Sequence, residues 1–164
     1  MKKTPLLFLL AASFFVIVIS SCDKNNDSNP VTLTLYDSLG GTAMVQDPAN
    51  PSMMIESGRL GIRSVVDSAI FVIAADDKIN NYFTVLLAEV TAGDLSGFQE
   101  LSKNLTDFFC VATGAKNFTY SGLSMVDAHD PATNPRISEK VNSEDFDEFI
   151  TDLGIAAGKN NLPD

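Results

Sequence analysis

Apolar and polar positions alternate along this chain in three stretches at helical spacing. Ile62, Val65, Val66, Ala69, Ile70 and Ile73 stand at offsets 0, 3, 4, 7, 8 and 11, one face of a helix predicted to begin at Leu60. Asp76 and Asp77 then offer caps for a short helix running from Ile79 to Phe83. Ser96-Gly97-Phe98-Gln99 fits a capping box opening a second long helix, whose apolar members are Phe98, Leu101, Leu105, Phe108, Phe109 and Ala112. At roughly 100° per residue these fall within about 140° of arc, a core-facing stripe, and Gly114 offers a stop. Ser143 can cap a last helix, with Phe146, Phe149, Ile150, Leu153 and Ala157 at offsets 0, 3, 4, 7 and 11. Between Thr42 and Ser57, Pro48, Asn50, Pro51 and three methionines predict a loop. No stretch alternates with period two for long enough to predict a sheet, so the expected fold class is all-α.

The first twenty-odd residues carry another pattern. Met1-Lys2-Lys3 precedes an apolar run from Leu6 to Ile19, about fourteen residues where a spanning helix needs about twenty. The run reads as an export signal. It ends Ile19-Ser20-Ser21-Cys22, which resembles the bacterial lipobox, in which small residues precede a cysteine that receives diacylglycerol. The segment Asp23 to Pro30 has no apolar residue and reads as a tether. The expected organisation is a lipoprotein signal over 1–21, a lipid-anchored tether over 22–33 and one folded domain over 34–164. That domain would stand outside the cytoplasm, on the periplasmic face or cell surface, held to a membrane through Cys22.

Composition narrows the chemistry. The formal charge of −10 becomes about −12 once Lys2 and Lys3 leave with the signal, a surface that repels phosphate backbones and argues against nucleic acid as a partner. With Cys22 acylated, Cys110 is the one cysteine left, so no internal disulfide can form. Cys110 reads as a small buried apolar residue. The 164 residues contain a single histidine, His129, at the end of "YSGLSMVDAH", a loosely helical stretch from Tyr120. It is the one candidate imidazole ligand for a transition metal. No nucleophile–base pair, phosphate loop or zinc spacing stands beside it.

Five pieces in this order resemble the truncated haemoglobins, most closely group I. "LYDSLGG" (Leu35 to Gly41) is similar to the family's opening segment and glycine turn, and "VVDSAIFVIAADDKINNYF" (Val65 to Phe83) to its B and C helices. "LSKNLTDFFCVATGA" (Leu101 to Ala115) is similar to the E helix, and "SEDFDEFITDL" (Ser143 to Leu153) to the G helix. Between these, Tyr120, Gly122, Met125 and His129 match Tyr-x-Gly-x-x-Met-x-x-x-His, whose histidine is the family's proximal iron ligand. The resemblance implies a truncated globin-like helical sandwich binding haem, with His129 on the iron. Phe83, Phe108, Phe109, Tyr120 and Met125 would pack around the porphyrin, and the gas-facing positions would fall on Ile70, Leu101 and Leu105. Ala69 takes the place of the aromatic that usually precedes the distal tyrosine.

The chain also departs from that family. Its usual distal tyrosine and glutamine are here aliphatic, so no hydrogen bond to a bound gas is expected from Ile70, Leu101 or Leu105, and O₂ should leave quickly. Three connections are longer than in the family: Thr42 to Ser57, "TVLLAEVTAG" after Phe83, and the loop after His129. The middle one brings Glu89 as an alternative polar contact. The sequence stops at Leu162-Pro163-Asp164, where the family continues into an H helix, so most of that helix is expected to be lacking. Two functions remain in view. One is a haem protein reversibly binding O₂, NO or CO, with a reductant of unknown identity as a further partner. The other is a haem-free globin-like structural or interaction lipoprotein. NO dioxygenation is disfavoured by the apolar distal positions.

Overall fold

The computed structural model describes residues 32–161. The export signal, Cys22, nearly all of the tether and Leu162–Asp164 lie outside the described residues. The elements run α1 (Leu35–Ser38), β1 (Met44–Asp47), β2 (Asn50–Glu56), α2 (Ser57–Ala75), a 3-10 turn (Asn80–Phe83), α3 (Thr84–Thr91), α4 (Ser96–Ala112), α5 (Met125–Ala128) and α6 (Ser143–Lys159). The fold is thus mostly helical, with one small antiparallel sheet, and the all-α expectation is corrected on that point.

The sheet is a hairpin, β1 against β2, pairing Met44 with Glu56, Val45 with Ile55 and Gln46 with Met54. It occupies the stretch expected to be a loop. Of its residues Ile55 alone is fully buried, so neither face demanded apolar alternation and the period-two signal was absent. Its turn is fixed by Asp47, whose Oδ1 accepts the Ala49 N–H at 2.8 Å. The same carboxylate takes both guanidinium arms of Arg63 from α2, at 2.6 and 3.1 Å. β2 runs straight into α2, which is why that helix starts at Ser57 rather than Leu60.

α2 is the central helix. Its predicted face, Ile62, Val65, Val66, Ala69, Ile70 and Ile73, is buried throughout. Tyr36 of α1 joins Ile62, Val66, Ile70 and Cys110 in one cluster, while Val65 and Ala69 pack against Ala156 of α6 in another. Tyr36 is 1% exposed. Its hydroxyl donates to Glu56 at 2.7 Å, and burial first, that bond second, push its pKa up. Gly58 lies against it: a Cβ there would stand 2.9 Å from the Tyr36 ring and carbonyl oxygen. The α1 exit uses Gly40 and Gly41 at positive φ, as the glycine pair suggested.

α4 faces α2 with polar groups as well as apolar ones. Ser102 donates to Asp67 at 2.5 Å, and Asp107 holds Arg59 at 2.7 Å and Lys103 at 2.8 Å. Ser102, Thr106, Asp107 and Cys110 are the buried side chains of α4, whereas Phe98, Leu101, Leu105, Phe108 and Phe109 are not all sealed in the core and Ala112 is exposed. Phe98, Leu101, Leu105 and Phe109 nevertheless pack against the Tyr36–Ile62–Val66–Ile70–Cys110 cluster, so most of the stripe does face the core, half-buried at its edge. The expected capping box is not made; Asp94 instead accepts the Ser96 N–H at 2.9 Å. Gly114, at φ 105°, does end the helix. Asp76 terminates α2 and accepts the Lys78 N–H rather than capping a new helix, and "TVLLAEVT" is α3. The last helix is present, but Ser143, expected as its cap, is its first residue, and the cap is Asn142, in a reciprocal box with Asp145.

Candidate haem site

Part of the α4 stripe also borders a cavity of about 750 Å³, within the range of small-molecule and cofactor sites. α2 contributes Ile70, Ile73 and Ala74, the 3-10 turn Tyr82 and Phe83, and α4 Leu101, Leu105, Phe108 and Phe109. The far wall comes from Tyr120 to Leu123, from Met125, Ala128 and His129, and from Phe146, Phe149 and Ile150 of α6. Ile70, Phe83, Leu101, Leu105, Phe108, Phe109, Tyr120, Met125 and His129, nominated from the sequence, all line this one space. Ala69 does not; it packs on α6.

Each residue of the "YSGLSMVDAH" pattern has a local task. The Tyr120 ring folds across Gly122, where a Cβ would come 2.5 Å from the Tyr120 oxygen, and the hydroxyl donates to the Leu123 carbonyl at 2.6 Å. The same ring stands edge-on to Phe108 at 5.6 Å, and Phe108 to Phe109 at 5.4 Å. Ser124 caps α5 by accepting the Asp127 N–H at 3.1 Å. His129 Nδ1 lies 2.7 Å from the Met125 carbonyl oxygen. A carbonyl only accepts, so Nδ1 carries a proton and donates, which in the neutral tautomer leaves the lone pair on Nε2. The side chain lines the cavity rather than packing into the helical core. An imidazole with Nδ1 held by a backbone acceptor and no hydrogen bond to Nε2 among the described residues has the arrangement common to metal-binding histidines.

The polar lining was largely missed by sequence reasoning. Asn104 sits on α4 between Leu101 and Leu105 and places an amide in the wall. It lies three residues beyond Leu101 and so on the same face, the signal that could have found it. Glu89 is not a lining residue. Its carboxylate accepts from Arg136 Nε at 3.1 and 3.2 Å, while Arg136 Nη1 reaches Glu100 at 2.9 Å. Arg136 and Glu100 line the cavity, and the ion pair crosses α4 at Gly97, where any side chain would strike Glu89, Arg136 and Leu86. Tyr82 donates to Asp145 at 2.7 Å; that bond first, and burial second, push its pKa up to about 12.

No known family model matches the chain, and no curated protein matches it. Among the described residues no helix is long and apolar enough to cross a membrane.

Proposed function

We propose that residues 34–164 form a truncated-globin-like domain that binds haem through His129 and reversibly takes up a diatomic gas, held at the outer side of a bacterial membrane by lipid on Cys22. The observation that carries the reading is the convergence of the nine nominated residues on one apolar cavity, with the sole histidine, itself exposed, at its wall and no hydrogen bond to its Nε2 among the described residues. Haem, when bound, supplies the iron at which O₂, NO or CO is held. The chain's own residues do the rest. The Met125 carbonyl fixes the tautomer and ring orientation of His129. Phe83, Phe108, Phe109 and Met125 offer an aromatic and thioether surface that suits a flat apolar macrocycle. Ile70, Leu101 and Leu105 present no donor, so the gas side is set for weak, readily reversed binding, with Asn104 the nearest amide on the α4 wall in sequence.

One observation favours the haem-free interaction module. Haem carries two carboxylates, and Arg136, the one cationic lining residue among those described, is already shared by Glu89 and Glu100. An absorption spectrum of protein expressed with haem supplied, with and without dithionite, separates the two readings. The haem reading expects a Soret band and a five-coordinate ferrous form, and His129→Ala should lose the imidazole-ligated spectrum. An unchanged spectrum in that variant would remove the metal assignment, and absence of the band in the parent would leave the interaction module.

A further inference from the structure

Away from the cavity, three carboxylates meet where α2 ends. Asp76 closes α2, and Glu148 and Asp152 stand four residues apart on one face of α6. One oxygen from each lies within 4.8 Å of the others. Like charges at that spacing on a helix already repel, and a third carboxylate from another helix adds to the repulsion. Part of the cluster is explained. Lys78 Nζ donates to Glu148 at 2.7 Å, and Asp76 accepts the Lys78 N–H at 3.0 Å.

Asp152 is not explained in that way. It is 3% exposed, and its Oδ2 has no hydrogen-bond partner among the described residues. A buried carboxylate oxygen without a partner is strongly unfavourable unless something compensates it. Two features point to a cation as the compensation. The C-terminus of the 19-residue α2 carries partial negative charge, and its last turn has no basic residue. With Lys78 counted, the three carboxylates leave two negative charges, which a divalent ion would balance.

We propose that Asp76, Glu148 and Asp152 bind a divalent cation of calcium size, clamping the end of α2 to α6. Calcium accepts flexible sets of carboxylate oxygens at about 2.3–2.6 Å, whereas magnesium demands near-ideal octahedral geometry and gives up its waters reluctantly, so carboxylates gathered from two helices suit calcium better. None of the three residues lines the cavity, so this site stands independently of haem. Burial, then the neighbouring Asp76 and Glu148 charges, raise the Asp152 pKa, in keeping with a carboxylate lacking its counterion.

The test titrates CaCl₂, MgCl₂ and ionic-strength-matched NaCl into chelator-treated full-length protein, monitored by thermal unfolding and calorimetry. Calcium should raise the midpoint saturably, with half-effect at roughly 0.1–1 mM, as for weak extracellular sites, and magnesium should do so less. Asp152→Asn should raise the calcium-free midpoint and weaken binding at least ten-fold. Lys78→Met, which removes the competing ammonium, should strengthen binding. If Asp152→Asn does not fold, Glu148→Gln carries the same comparison. A calcium response no larger than that of NaCl, or one that survives both carboxylate substitutions, would overturn the site.

Discussion

Replacing Ile70 with tyrosine moves two measurable quantities in opposite directions. Ile70 is 8% exposed, packed with Tyr36, Ile62, Val66 and Cys110, and also faces the cavity. A tyrosine there would carry its hydroxyl from the α2 wall into about 750 Å³ of mainly apolar space, opposite in chemistry to the aliphatic Leu101 and Leu105. A hydrogen bond to a bound, partly negative O₂ is worth about 1.5–3 kcal/mol. At about 1.36 kcal/mol per factor of ten, release should slow by roughly 10- to 150-fold. The larger side chain must also fit beside a close-packed cluster, which should lower folding stability by about 1–3 kcal/mol. Stopped-flow O₂ dissociation on haem-loaded parent and variant, with thermal unfolding of both, reads the two effects. The parent should release O₂ quickly and hold CO comparatively well. A parent that already releases O₂ slowly has a donor in place, and Asn104→Leu should then speed release. Unchanged rates in both variants would mean that Ile70 and Asn104 do not face the gas.

Three further outcomes are expected. Cys22→Ser should release the protein from membranes or block its processing; parent protein with no acyl mass increase, found in the soluble fraction, would refute the anchor. Asp47 has its carboxyl held down to about 2, mainly by the Arg63 hydrogen bond, against an ordinary 3.8. It therefore contributes stability that is present above pH 3.8 and lost as the pH falls through about 2, so Asp47→Asn should flatten the acid-unfolding profile across that window while lowering stability at pH 7. Gly58→Ala would gain helix propensity but drive a Cβ against the Tyr36 ring and carbonyl; the backbone oxygen cannot yield, so a net loss of about 1–3 kcal/mol should appear in urea unfolding.

α2 was legible because one face must be buried, and the offsets from Ile62 to Ile73 reflect packing against neighbours; on α6 Phe149, Leu153 and Ala157 pack against the core, while Phe146 and Ile150 are exposed along the cavity. The hairpin was not legible because it buries almost nothing, and a strand with two wet faces carries no alternation. Spacing made the α4 stripe legible as apolar; that Leu101, Leu105, Phe108 and Phe109 would line a ligand space came from the family resemblance alone. Nothing in spacing alone distinguishes a face turned to protein from one turned to a space for a ligand, and only the half-burial of Leu101 and Leu105 separates them. The caps at Asp94 and Asn142 fell one or two residues from the expected serines, since several Ser, Asn and Asp residues compete at each helix start. The polar lining was hidden for another reason. Arg136 and Glu89 are 47 positions apart, and Glu100 is 36 from Arg136, so their meeting depends on tertiary structure.

The four residues of α5 are too few to persist as a helix unaided. Three carbonyls of the helix are bound by side chains just beyond its end: Met125 by the His129 ring at 2.7 Å, Asp127 by the Thr133 hydroxyl at 2.7 Å and Ala128 by the Asn134 amide at 2.8 Å. The imidazole is thus both a candidate ligand and a fastening of the segment that carries it. Opening α5 and releasing Nδ1 become a single event, a local unfolding far cheaper than loss of the whole domain. Hydrogen exchange at the Ala128 N–H, which donates to the Ser124 carbonyl at 2.8 Å, should therefore run on the same clock as any departure of His129 from a metal.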